Sequence, residues 1–328
     1  MKHKTLILER RIIENIINMK DAVKAIEFAY REYGLNRCNM PPKIYLDLVK
    51  HNGDFRAMPG YIEGLNKCAL KWVNVHPDNI GKGLPTVMAV IILSDPSNGF
   101  PLCIMDGTLA TNLRTGAAGG LAAKYLARKN SNVIGLVGCG AQAKTQLMAL
   151  NGLFKIKEVM VWGHKESFIN NFIKNNRKMD LKFTAAKNVK ECVENSDIVI
   201  TTTPSRKPLV KLEWLKKGVH INAIGADAKG KEELSPLILK NAKVVIDSWE
   251  QASHSGEINV PVRKGIISKK DIYADIGEIV TGKKKARTNE TEITVFDSTG
   301  LAIQDVAISD LIYKTAIKKK LGKWVNLI

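Results

Sequence analysis

The sequence predicts an α/β protein in two parts. A doubly wound parallel sheet is expected over residues 129–302, beside an α+β domain assembled from 1–128 and 303–328. Three observations predict this. From Asn132 onward, short apolar runs alternate with helical stretches, the rhythm of strand–helix–strand units. That stretch opens with a glycine-rich turn at 133–143, Val-Ile-Gly-Leu-Val-Gly-Cys-Gly-Ala-Gln-Ala. Before Asn132 the apolar runs are divided by turn residues, which suits mostly antiparallel strands.

The elements follow in order. Met19–Tyr33 carries apolar residues at helical spacing, with Gly34 as its stop. Lys43–Val49 alternates as a strand does, and Ala69–Val75 and Thr86–Ser94 are apolar, β-branched runs. Asp95–Gly99 holds Pro96 and Gly99 and reads as a hairpin turn before a strand at Pro101–Asp106. Asn112–Lys129 reads as one long helix. Its Ala117, Ala118, Gly119, Gly120, Ala122 and Ala123 suit very close packing, against the sheet or a twin subunit. Parallel strands are expected at 133–137, 158–162, 197–202, 219–224, 243–246 and 292–296, with a helix at Ala143–Phe154. Ile303–Lys320 is a last helix, returning to the first domain.

Composition narrows the class. With 328 residues and 45% hydrophobic content, the chain has room for two globular domains. No apolar stretch approaches the roughly 20 residues that cross a bilayer. Met1–Arg11 is charged and lacks a signal-peptide core, so a cytoplasmic protein with no membrane partner is expected. Five scattered cysteines, with no C-x-x-C pair, read as reduced thiols. Six histidines show no ligand spacing, and no metal is expected. The net charge is +18, but the densest basic runs, Lys283–Arg287 and Lys314–Lys323, lack interleaved aromatics. A solvated lysine-rich surface that attracts anions fits better than nucleic-acid binding.

The glycine turn carries the first chemical expectation. Gly138 makes a tight turn, Gly140 lets phosphates approach bare backbone, and Ala143 lets the next helix lie close to the sheet. Ala141 and Gln142 complete the turn on the cofactor side, and the following helix points its positive N-terminal end at the anion. A dinucleotide in a Rossmann-type domain is therefore expected. Ligands in such sheets lie at the carboxyl ends of the strands. Three of those ends are informative: Thr201 to Ser205, Ala223 to Asp227, and Phe296 to Gly300. They make Thr202, Thr203, Ser298 and Thr299 candidates for the cofactor side, together with Thr115 on the long helix, and they leave Asp227 as an isolated carboxylate. Each of these segments also reads as ordinary loop and cap chemistry. The second strand ends Val161-Trp162-Gly163-His164-Lys165, without the acid that would bind a ribose 2′-hydroxyl. NAD or NADP is expected, with NADP accepted through His164 and Lys165; both residues pointing into solvent is the alternative.

In the first domain Lys71 is the odd residue of an apolar run, Ala69-Leu-Lys-Trp-Val-Asn-Val75. It is either an edge lysine reaching water or a buried functional amine. Lys43, Arg56 and Arg114 are further cations able to hold a substrate carboxylate.

These residues sit in recognisable stretches. Ile104-Met-Asp-Gly-Thr-Leu-Ala-Thr-Asn-Leu-Arg-Thr-Gly-Ala-Ala resembles the signature of the ornithine cyclodeaminase/mu-crystallin family. Further matching stretches are Met40-Pro-Pro-Lys43, Asp54-Phe-Arg56, Leu70-Lys71-Trp, Thr201-Thr-Thr-Pro, His220 to Asp227 and Asp297-Ser-Thr-Gly-Leu-Ala-Ile-Gln-Asp305. The similarity covers nearly the whole chain and is greatest to the archaeal-type alanine dehydrogenase branch. Lysine at 43, where most of the family has arginine, fits that branch. The resemblance implies a homodimer joined through the first domain, acting on an amino acid or 2-oxo acid. It implies reversible oxidative deamination of L-alanine, with Lys71 and Asp227 as the catalytic pair and Lys43, Arg56 and Arg114 on the substrate carboxylate. Ornithine cyclodeamination, ketimine reduction and non-catalytic ligand binding are the rival expectations within the same family.

Overall fold

The computed structural model describes residues 4–328, the side chain of Ile80 excepted; Met1, Lys2 and His3 of the charged start lie outside the described residues. The chain begins with β1 (Thr5–Leu8), α1 (Arg10–Ile16) and α2 (Met19–Gly34). Asn18 caps α2 by accepting the amide of Asp21, and Ala22, Val23, Ile26, Ala29 and Tyr30 form its buried stripe. There follow β2 (Cys38–Asn39), β3 (Ile44–Leu48), β4 (Gly53–Ile62), β5 (Lys67–Val75), β6 (Val87–Ser94), β7 (Pro101–Asp106) and α3 (Gly107–Leu126). The expected hairpin turn forms between β6 and β7, with the Gly99 amide donating to the Asp95 carbonyl and Gly99 at φ +77°.

The next stretch runs β8 (Val133–Val137), α4 (Ala141–Asn151), β9 (Glu158–Trp162), α5 (Glu166–Asn176), β10 (Lys182–Ala185), α6 (Val189–Glu194) and β11 (Ile198–Thr201). It continues with β12 (Arg206–Val210), β13 (His220–Ala223), β14 (Glu232–Leu234), α7 (Pro236–Asn241), β15 (Lys243–Ile246), α8 (Trp249–Ser255), α9 (Asn259–Arg263), β16 (Ala274–Asp275), α10 (Ile276–Val280) and β17 (Thr294–Asp297). The chain closes with α11 (Ala302–Lys319) and β18 (Lys323–Val325).

Two units result, divided at Arg114/Thr115 and Gly300/Leu301. The first boundary falls inside α3, ahead of the helix end at which the sequence suggested a division. The reason is the glycine content of α3. A Cβ on Gly116 would stand 2.5 Å from the Thr145 carbonyl oxygen, and one on Gly120 would stand 2.6 Å from the Ala149 Cβ. Only bare backbone permits that approach. The small residues thus pack against α4 and, through Ala123 and Ala127, against the sheet, one of the two partners expected. Side chains add to both contacts: Gln146 of α4 donates to the Thr115 carbonyl, and Asn222 of β13 to that of Gly119.

The second unit is a doubly wound sheet in the order β10-β9-β8-β11-β13-β17-β15-β16, with every pairing parallel. Apolar clusters cover both faces. Leu136, Ala143, Leu147, Val161 and Ile200 belong to one; Val137, Val199, Ile221, Val244 and Val295 belong to the other. Eight strands replace the six expected. β10 and β16 are short edge segments whose sequences, Lys-Phe-Thr-Ala and Ala-Asp, carry too little apolar signal to be found. The order reverses direction between β8 and β11, which opens a crevice beyond their carboxyl ends.

The first unit is a mixed sheet in the order β18-β1-β7-β6-β5-β4-β2, with β3 also on β4. β1 lies parallel to β7; the other pairings are antiparallel. β4 is absent from the sequence reading because Pro59 and Gly60 break its pattern. Gly60 has a packing reason: a Cβ there would lie 3.1 Å from the Ala302 Cβ, so α11 rests directly on this face of the sheet. The opposite face is apolar and left exposed by the described residues. Ile44 is 63% exposed, Leu46 50%, Trp72 43% and Val90 46%, and Phe55 stacks on Trp72.

Candidate active site

In β5 the side chains alternate strictly, Ala69, Lys71 and Val73 inward, Leu70 and Trp72 outward. Lys71 therefore points at α11, and its 1% exposure excludes the edge-lysine alternative. Its amine meets the carboxylate of Asp305 at 3.0 and 2.9 Å. Arg114 shares that carboxylate, its Nε 3.1 Å from Asp305 Oδ1, and its Nη1 donates to Gln304 Oε1 at 2.6 Å. Gln304 in turn donates to the buried Tyr30 hydroxyl of α2.

One carboxylate thus faces two cations in a buried setting. Burial, then the neighbouring charge of Arg114, brings the Lys71 amine down to about 7; Asp305 pulls the other way, and Lys43 adds to the lowering. Lys43, just before β3, is therefore close enough to be felt at Lys71. Arg56 is buried too, opposite Val73 and diagonal to Lys71 in the sheet register. It forms a two-pronged pair with Asp54, at 2.7 and 3.1 Å, and lies 5.2 Å over the Tyr45 ring. The four expected cations of the first unit are gathered on one sheet face and at the helix beside it. Asp305, which organises two of them, was not singled out from the sequence. The available signal was an acid within Ile303-Gln-Asp-Val-Ala-Ile308, a helical run in which every residue is buried.

In the second unit, β8 ends in the glycine turn. Gly138 has φ +107°, and a Cβ there would lie 2.7 Å from Thr202 Oγ1. Gly140 is the N-cap of α4, and a Cβ built on it meets nothing within 4 Å. Backbone lies bare at the head of an 11-residue helix, whose first amides have no intrahelical acceptor. Ala141 is exposed there, Gln142 is half-buried, and Ala143 is packed into the core. Thr202 adds a buried hydroxyl with no hydrogen-bond partner among the described residues. The hydroxyls of Thr203 and Thr299 are donated inward, to Glu233 and to Asp247. Ser298 is buried, and its amide donates to the Ala223 carbonyl, so the ends of β13 and β17 are held level. His164 and Lys165 are exposed at the end of β9, where Lys165 sits 5.8 Å from the Phe168 ring centre.

Asp227 follows β13 in the turn beyond Gly225. It is half-buried and carries an ion pair from Lys231, four residues on, at 2.5 Å. Glu233 was also not anticipated. It is fully buried and accepts the amide and hydroxyl of Thr203 and the amide of Gly225, joining the loops after β11 and β13. Its sequence signal is faint, because Glu232-Glu233 reads as a surface pair. Among the described residues no cluster suits a metal ion, and no helix is long and apolar enough to cross a membrane.

A carrier of one buried amine and a glycine-lined helix head can be compared with known proteins. Residues 3–320 match the ornithine cyclodeaminase/mu-crystallin family. An alanine dehydrogenase of Archaeoglobus fulgidus is 52% identical over 324 residues, 98% of each chain. A Delta(1)-pyrroline-2-carboxylate reductase of Bacillus cereus is 33% identical, over 98% of this chain and 99% of its own. Among solved structures, an archaeal alanine dehydrogenase dimer with bound NAD superposes with a TM-score of 0.95 at 50% identity, covering 99% of this chain and 100% of the other. A Thermococcus litoralis Delta(1)-pyrroline-2-carboxylate reductase with NADH and L-proline gives 0.95 at 37%, covering 98% and 100%. The chain belongs to the ornithine cyclodeaminase/mu-crystallin family.

Proposed function

We propose that this chain is a nicotinamide-dependent amino-acid dehydrogenase, specifically an alanine dehydrogenase that interconverts L-alanine with pyruvate and ammonia. The observation that carries the reading is Lys71: a buried amine, brought down to about 7, that shares the Asp305 carboxylate with the Arg114 guanidinium. Such an amine gives and takes a proton near neutral pH. The choice of alanine rests on the 52% identical relative of that name.

The glycine corner supports the cofactor. Gly138 and Gly140 leave backbone open, the α4 amides provide donors, and the buried Thr202 hydroxyl lacks a partner among the described residues. Gly138, Gly140, Ala141, Gln142 and Ala143 would hold the pyrophosphate, with Thr115, Thr202, Thr203, Ser298 and Thr299 lining the strand ends. When bound, the nicotinamide supplies the oxidant that removes hydride from the substrate Cα. Lys43, Arg56 and Arg114 orient the substrate by its carboxylate. Lys71 donates a hydrogen bond to substrate oxygen and exchanges a proton with it. Asp227 takes the proton from the water that adds to the imino carbon. With no acid at the end of β9 itself, and with Lys165 exposed there beside His164, a 2′-phosphate meets the charge of Lys165, so NADP is accepted alongside NAD.

A second copy of this chain covers the apolar face of the first unit's sheet, giving a homodimer. That reading is supported by the exposed Ile44, Leu46, Trp72 and Val90 and by the dimeric relative. Light scattering should return about twice the 36.2 kDa chain mass. A second substrate reading, cyclic ketimine reduction, is favoured by the pyrroline-carboxylate reductases among the relatives. Reduced cofactor followed at 340 nm separates them. Alanine with NAD or NADP, and pyruvate with ammonia in reverse, should turn over. Silence with both, alongside rapid reduction of a cyclic ketimine, would replace the proposal by its rival.

A further inference from the structure

The turn that bears Asp227 is built to bring a lysine onto its carboxylate. Lys231 is only 17% exposed at its side chain, and its amine lies 2.5 Å from Asp227 Oδ1. The turn closes through the Lys231 amide on the Ala228 carbonyl, with Gly230 at φ +82°, a conformation that favours glycine. Asn259, itself buried, then locks it from below. Its Nδ2 donates to the Lys231 carbonyl at 2.8 Å and its Oδ1 accepts the Gly230 amide at 2.9 Å. On the upstream side Glu233 fixes the Gly225 amide at 3.0 Å. A surface ion pair four residues apart needs none of this buried support.

We infer that Lys231 is a positioning residue for the proposed reaction: it holds the Asp227 carboxylate in its working orientation, and Asn259 holds Lys231. The inference rests on the reading of Asp227 as the group that activates water. A flexible carboxylate, free to rotate on its turn, would spend little time aligned with its proton donor. Misplacement of a reacting group by about 1 Å costs on the order of a hundredfold in rate.

The test is made on the full-length protein with its cofactor. Lys231→Met is expected to lower kcat for alanine oxidation roughly tenfold to a hundredfold. The Kd for NADH, read by nucleotide fluorescence, and the Tm should stay as in the wild type. Lys231→Arg, which keeps the charge, should recover most of the rate. In an Asp227→Asn background the further change Lys231→Met should cost little more, because the pair acts as one unit. An unchanged kcat in Lys231→Met overturns the inference. So does a fall in Tm that tracks the loss of rate and is not rescued by arginine. Full activity in Asp227→Asn alone would instead overturn the assignment of Asp227, which separates failure of the underlying reading from failure of this one.

Discussion

The two units build their sites from different material. The second unit offers backbone: a glycine at φ +107°, a bare N-cap and the amides of one helix. The first unit offers side chains drawn from distant parts of the chain, with Lys71 and Asp305 separated by 234 residues and Arg114 and Asp305 by 191. A backbone site depends on local conformation, and substitutions there act mainly on the ligand. A side-chain site under a buried helix depends on charge balance, and substitutions there act on the fold as well. The units should therefore respond differently to single changes.

Asp305→Asn should have the largest effect on folding. It leaves Lys71 and Arg114 buried without their carboxylate, and removing one member of such a group costs about 3–5 kcal/mol. Urea unfolding should show the loss; a midpoint shift worth less than about 1 kcal/mol would mean that the charges are not coupled as described. Gly138→Ala is the matching change in the second unit. The forbidden φ and the contact with Thr202 Oγ1 cost roughly 1–3 kcal/mol, which is about 5- to 150-fold if it falls on nucleotide affinity. Its signature should be a raised Kd for NADH with the fold retained, read by fluorescence titration beside circular dichroism. Unaltered affinity would break the comparison at its nucleotide end. The smallest effect is expected from Lys165→Ala. An exposed lysine on a phosphate is worth about 0.5–1 kcal/mol, so kcat/KM with NADP should drop two- to fivefold while that with NAD holds. Equal losses with both cofactors would show that Lys165 does not read the 2′-phosphate.

The same contrast explains what could be read from the sequence. The bounds of β8, β9 and β15 coincide with the expected strands, because parallel strands covered on both faces are continuous apolar runs. The glycine corner was legible because backbone sites leave a local signature. Lys71 was legible as a charge out of place in an apolar run. Its partner was not: Asp305 is an ordinary helical residue until tertiary packing sets α11 on β5. Lys231 escaped notice for another reason, since a lysine in a polar turn looks solvated until Asn259 and Glu233 are seen to fix that turn. β1 and β18 were missed because they are only four and three residues long, too short for a period to show, and depend on the strand beside them for hydrogen bonds.

The account centres on the Lys71 amine, and its titration in turnover is the most direct test. Burial and Arg114 hold that amine near 7, well below the ordinary 10.5, so its neutral fraction grows as the pH rises through about 7. Alanine oxidation draws on the neutral form. Measured from pH 5 to 9, kcat/KM for alanine should climb through a limb near pH 7 in the wild type, and Lys71→Met should lose the limb together with about 10³-fold of the rate. A Lys71→Met protein that keeps both the limb and the rate would contradict the account.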